Sequence, residues 1–158
     1  MSHSGYEHPT RAMNRLAFLE GSWAGQGWHQ AGPDAERRHF TQTEDIQRKL
    51  DGQLLIIEGR GHAADDPERV VHLALAVVSY DTAEARYRWA AFSRGDHLDT
   101  DLSVDNTGIE WSAQLAPGTL MRYRANIIGD QWNETAQLST DHGTTWTTTL
   151  EMHLRRTT

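Results

Sequence analysis

The chain has 158 residues, 37% of them hydrophobic and 23% charged, with a formal net charge of −7 and no cysteine. That length bounds a single domain, the acidic balance speaks against nucleic acid and anionic membrane surfaces as partners, and the missing thiols exclude disulfides, thiolate catalysis and Cys-ligated metals. Six Trp, four Tyr and three Phe supply core material for a half-buried sheet, in which only alternate positions need be apolar.

Residues 1–10 read as a loose tail without the apolar stretch of a signal peptide. No run in the chain reaches membrane-span length, so the expected compartment is the cytoplasm. From Arg11 to Leu19, the residues Met13, Leu16, Ala17 and Leu19 fall at helical spacing, and Gly21 ends the segment. Beyond Ser22 the pattern alternates. Turn signals recur at Gly32-Pro33-Asp34, Asp51-Gly52, Asp65-Asp66-Pro67, Asp81-Thr82, Arg94-Gly95-Asp96, Asp105–Gly108, Pro117-Gly118, Gly129-Asp130 and Asp141-His142-Gly143. They predict about ten strands at barrel-like spacing: 22–30, 37–49, 53–62, 69–80, 85–93, 97–104, 109–115, 119–128, 131–139 and 145–156. Asp51-Gly52 is the sharpest hairpin signal. The expected architecture is all-β, an antiparallel meander barrel over 11–158 with a short N-terminal helical cap.

The period-2 reading assigns faces. Tyr87, Trp89 and Ala91 oppose Arg86 and Arg88; Ile109, Trp111 and Ala113 oppose Glu110 and Ser112. Met121, Tyr123, Ala125 and Ile127 oppose Arg122 and Arg124, and Trp132, Ala136 and Leu138 oppose Asn133, Thr135 and Gln137. In the last strand Trp146, Leu150, Met152 and Leu154 are expected inside. Residues Leu73 to Val78 are apolar on both faces, so the outer one is expected under the helix or a second copy in a homodimer.

Several polar residues share the inward parity. Glu134 stands between Trp132 and Ala136, and Glu44 shares its face with Phe40 and Ile46. A buried carboxyl finds a partner or gains a proton. Each therefore orients a ligand or moves protons, or else pairs with an inward arginine such as Arg48. Gln42 lies on the same face. His29, at the far end of the first strand, is a candidate base or a solvated rim residue. Trp89, Trp111 and Trp132 offer an aromatic wall or plain core, and Tyr87 and Tyr123 offer phenol hydroxyls. Gly25 and Gly27 mark curvature or a close approach beside Trp23. The nine histidines show no metal-ligand spacing, so no metal is expected.

Leu16-Ala17-Phe18-Leu19-Glu20-Gly21-Ser22-Trp23 resembles the opening of calycins, a helical turn followed by Gly-x-Trp. The resemblance implies that Trp23 closes one barrel end beneath an arginine of the last strand, Arg156 or Arg155. Two more features resemble the bacterial lipocalin-like DUF1579 group. They are Ser79-Tyr80-Asp81 followed by Tyr87, and Ser139-Thr140-Asp141-His142-Gly143-Thr144-Thr145-Trp146 with Glu151-Met152 and Arg155. Ser79 and His142 stand where that pattern has Gly. Nitrobindin-type haem barrels open similarly and use a His near the C-terminus; His153 lies in that region, but parity points it outward. The resulting expectation is a cytoplasmic barrel binding a small hydrophobic or aromatic molecule, its polar end held by Glu44, Glu134 and a tyrosine. The alternative is a cofactor-independent cyclase, isomerase or hydrolase using Glu134, Glu44 or His29.

Overall fold

The computed structural model describes residues 7–158. Helix α1 (Glu7–Met13) runs into a 3-10 turn at Asn14–Leu19. Ten strands follow: β1 (Gly21–His29), β2 (Arg38–Lys49), β3 (Leu54–Ala63), β4 (Asp66–Asp81), β5 (Arg86–Ser93), β6 (Asp96–Val104), β7 (Gly108–Ala116), β8 (Thr119–Ile128), β9 (Gln131–Ser139) and β10 (Thr147–Arg156). Each pairs with its sequence neighbours in antiparallel fashion, and β1 pairs with β10 to close the barrel. Closure gives every strand a neighbour on both sides, which is how a barrel removes the open edges of a sheet.

The helix begins at Glu7, earlier than the expected Arg11, so the tail expected over 1–10 is helical from Glu7 onward; its first six residues lie outside the described ones. Pro9 sits in the first turn, where its missing N–H leaves no helical bond unmade. Between β2 and β3, Leu50, Asp51 and Gly52 all take positive φ.

One end of the barrel is sealed. Met13, Leu16 and Leu19 are fully buried against it, together with Trp23, Leu55, Val78, Ile109 and Leu154. The Trp23 indole N–H donates to the Leu19 carbonyl at 2.9 Å. The Arg156 guanidinium lies 4.1 Å above the indole and donates to the carbonyls of Phe18 and Glu20 and to Asp130. Arg155 faces solvent. The cap therefore covers the barrel end and not the outer wall. Leu73 and Phe92 on the outer face of β4 and β5 remain 48% and 47% exposed.

Two features modify the alternation. A bulge between Thr148 and Leu150 shifts the start of β10. Trp146, expected inside, consequently lies outside the barrel, its ring covered by Arg122 at 3.9 Å. Between β6 and β7 the ladder comprises just Ser103–Glu110 and Val104–Ile109. From Asp96 to Leu102, β6 pairs with β5 alone over most of its length.

Candidate functional site

Away from the cap, inward side chains such as His29 and Met121 keep accessible surface. On β2, Gln42 and Glu44 point inward and are buried, 4% and 8% exposed. Opposite them β3 carries Gly61 and Gly59. A Cβ on Gly59 would stand 2.7 and 2.9 Å from the two Glu44 carboxyl oxygens, and one on Gly61 would stand 2.5 Å from Gln42 Oε1. Both polar side chains thus lie flat on the β3 backbone because no side chain occupies that space. The Gln42 amide donates to Glu44 Oε1 at 2.9 Å.

Glu134 enters from β9, paired with Ala125 on one side and Met152 on the other. It lies deep in the barrel yet keeps accessible surface, which a walled-in residue has only where open space faces it. The Trp132 indole N–H donates to its Oε1 at 3.3 Å. Burial pushes Glu44 up to about 7, against the hydrogen bond from Gln42. Burial and, second, the charge of Glu44 push Glu134 up to about 8. Both carboxyls thus titrate near neutrality, the range useful for proton transfer. The expected pairing with Arg48 is not made. That residue lies at the capped end, on Asn14 at 2.7 Å and 3.8 Å from Glu20.

Beside Glu134 stands an aromatic stack. Trp89 lies on Trp111 with ring centroids 4.2 Å apart, and Trp111 lies on Tyr123 at 5.1 Å. These residues come from β5, β7 and β8, so the stack bridges the barrel where the β6–β7 ladder stops. Tyr123 is pushed up by burial and by Glu134. The Trp89 indole N–H is buried without a partner, unusual for a group whose desolvation costs about 1–3 kcal/mol. Trp132 belongs to the sealed end, edge-on to Trp23 at 5.5 Å. Tyr87 also serves the cap, its hydroxyl donating to the Ala12 carbonyl at 2.6 Å.

At the end away from the cap His29 lies against Phe40, ring centroids 5.9 Å apart. Burial lowers its pKa, followed by the charges of Arg38 and Arg94. A second histidine joins it: His72, opposite Gly61 on β3, keeps an exposed surface at this end, and its pKa is lowered by partial desolvation, then by Arg94 and His29. Sequence reasoning missed His72 because β4 is apolar on both faces and its parity gave no sign. It also missed the Gly59-x-Gly61 pair, whose alternation inside a strand was the available signal. Gly25 and Gly27 do not open space beside Trp23. A Cβ on either would meet the β10 backbone at His153 and Glu151.

His153 stands exposed on the outer wall with Nδ1 2.6 Å from Asn133 Oδ1, so it does not fit an axial haem ligand inside the barrel. Among the described residues no group of three His, Asp or Glu is placed to hold a metal, and no helix is long and apolar enough to cross a membrane.

No family model and no curated protein matches the chain. Among solved structures it is similar to Rv2717c from M. tuberculosis, with 17% identity, a TM-score of 0.68, and 93% of this chain and 98% of that one covered. It is also similar to the S-type phycobiliprotein lyase CPES from Guillardia theta, with 12% identity, a TM-score of 0.62 and 99% of both chains covered. These likenesses establish the lipocalin-like barrel fold.

Proposed function

We propose that this is an intracellular lipocalin-like protein of the DUF1579 type that binds a small, planar, largely apolar molecule inside the barrel. The observation that carries this is the juxtaposition of the Trp89–Trp111–Tyr123 stack with accessible Glu134. A ring system lies on the stack, and Glu134, Glu44 and Gln42 engage its polar end. Apolar pockets with few converging polar groups are the usual form of such sites. Native mass spectrometry of the protein from its own host tests the reading. The expected result is a retained small molecule that Trp111→Ala no longer holds. Retention of nothing, or equal retention by the variant, rejects interior binding.

An enzyme on the same barrel is the second reading, favoured by two interior carboxyls that titrate near pH 7 and 8. One similar structure is named a lyase, so catalysis on this fold has precedent. Glu134→Gln separates the readings: a binding protein keeps its ligand, whereas an enzyme keeps the ligand and loses turnover.

A further inference from the structure

The segment Ser139–Trp146, prominent in the sequence, has no part in the interior. Its loop is tied internally. The buried Ser139 hydroxyl donates to Asp141 Oδ1 and accepts the Gly143 N–H, each at 2.8 Å. Asp141 accepts the Thr145 N–H at 2.8 Å and its hydroxyl at 2.6 Å. The Trp146 indole N–H donates back to the Gly143 carbonyl at 3.1 Å. His142 and Gly143 take the positive φ values, 59° and 83°, that this path requires. The product of all these bonds is an indole fixed in one place on the outer wall, over Arg122.

Arg122 is thereby held on two sides. One face of the guanidinium carries Trp146, and its Nε–H donates to Gln137 Oε1 at 2.8 Å. Its two Nη groups have no partner among the described residues, and no carboxylate lies within ion-pair distance. Its neighbour Arg124, in contrast, is neutralised by Asp105 at 2.8 Å. Arg122 lines an outer-wall groove of about 380 Å³ with Glu110, Arg124, Thr135, Gln137 and Thr148. The side chains alternate with the inward ones, so this groove is separate from the barrel interior.

We infer that the groove is a second binding site, which takes a small monoanionic carboxylate end-on to the Nη groups of Arg122. The planar fork of a guanidinium matches a carboxylate with two parallel N–H donors. With Nε occupied and one face covered, the end-on direction is the one left. Thr135 and Thr148 line the same groove and add hydroxyl donors to it. Glu110, in the same groove and 4.0 Å from an Arg124 already paired with Asp105, keeps enough negative charge to disfavour a dianion. An immobilised guanidinium loses little rotamer freedom on binding, which favours recognition on an otherwise acidic protein.

The test is an NMR titration of the full ¹⁵N-labelled chain, following Arg122 Nε–H and the Trp146 indole. Sodium lactate is compared with sodium chloride and sodium sulfate at matched ionic strength. Lactate is expected to give saturable shifts with a Kd on the order of 1 mM, and sulfate at least threefold weaker binding. Arg122→Gln is expected to weaken lactate at least tenfold, and Glu110→Gln to erase the disadvantage of sulfate. Equal shifts with chloride, or undiminished lactate binding in Arg122→Gln, overturn the assignment. Arg122→Lys keeps the charge without the fork; lactate binding as strong as in the parent chain likewise overturns end-on recognition.

Discussion

Replacing Glu44 by Gln is expected to make the protein more stable above neutral pH and to leave it nearly unchanged in weak acid. Glu44 rises from 4.5 to about 7 on folding, so the folded state holds this proton more tightly than the unfolded chain. Stability is therefore greatest while both states are protonated. It falls as pH climbs past 4.5, and the loss is complete above about 7. Each tenfold change in proton affinity is worth about 1.4 kcal/mol, so the ionised carboxylate destabilises the fold by about 3 kcal/mol. For a chain of this size that is a Tm change of roughly 6–12 °C. Glutamine keeps an oxygen to accept from Gln42 and never ionises. Urea unfolding of the two proteins at half-unit steps from pH 5 to 9 measures the difference. The curves should lie within about 1 kcal/mol of each other at pH 5 and separate by about 3 kcal/mol at pH 9. Because the charge of Glu44 helps raise Glu134, a ¹³C carboxyl titration should show Glu134 ionising at lower pH in the variant. Parallel stability curves would refute the claim that Glu44 is buried and uncompensated.

Gly59→Ala places a methyl 2.7 Å from Glu44 Oε1 and 3.0 Å from the Gln42 amide; a loss on the order of 1–3 kcal/mol in urea unfolding is expected, and weaker retention of the interior ligand in native mass spectrometry. Arg156→Lys removes the flat contact on Trp23 and part of its bonding to Phe18, Glu20 and Asp130; a loss of about 2 kcal/mol is expected, with faster amide exchange in the Asn14–Leu19 turn that the arginine holds.

Alternation along the strands made most of the barrel legible, because a side chain that faces inward in one strand of a closed sheet has inward neighbours on both sides. That alternation alone assigns Glu44, Glu134, Trp89, Trp111 and Tyr123 to one inward face. The rule broke where the backbone departs from a regular ladder. One bulge near Thr149 sent Trp146 outside. Arg48, at the end of β2, escaped to the polar groups of the cap instead of meeting a carboxyl inside. The role of Tyr87 depended on a carbonyl of α1 seventy-five residues away in sequence, a contact no local pattern carries. The glycines of β1 signalled a special position but not its nature, since an absent side chain equally serves a void or a close backbone approach.

The short ladder between β6 and β7 gives the wall a direction of weakness. A barrel joined by long ladders everywhere resists opening equally around its girth, whereas this one is fastened along one line by two residue pairs and a pile of rings. Force or heat applied to the closed sheet is concentrated there, and rupture turns the cylinder into a flat ten-strand ribbon with β6 and β7 as its borders. Two unpaired borders are templates for joining further copies edge to edge, and the aromatic stack that lines the interior lies across the line where those borders would form.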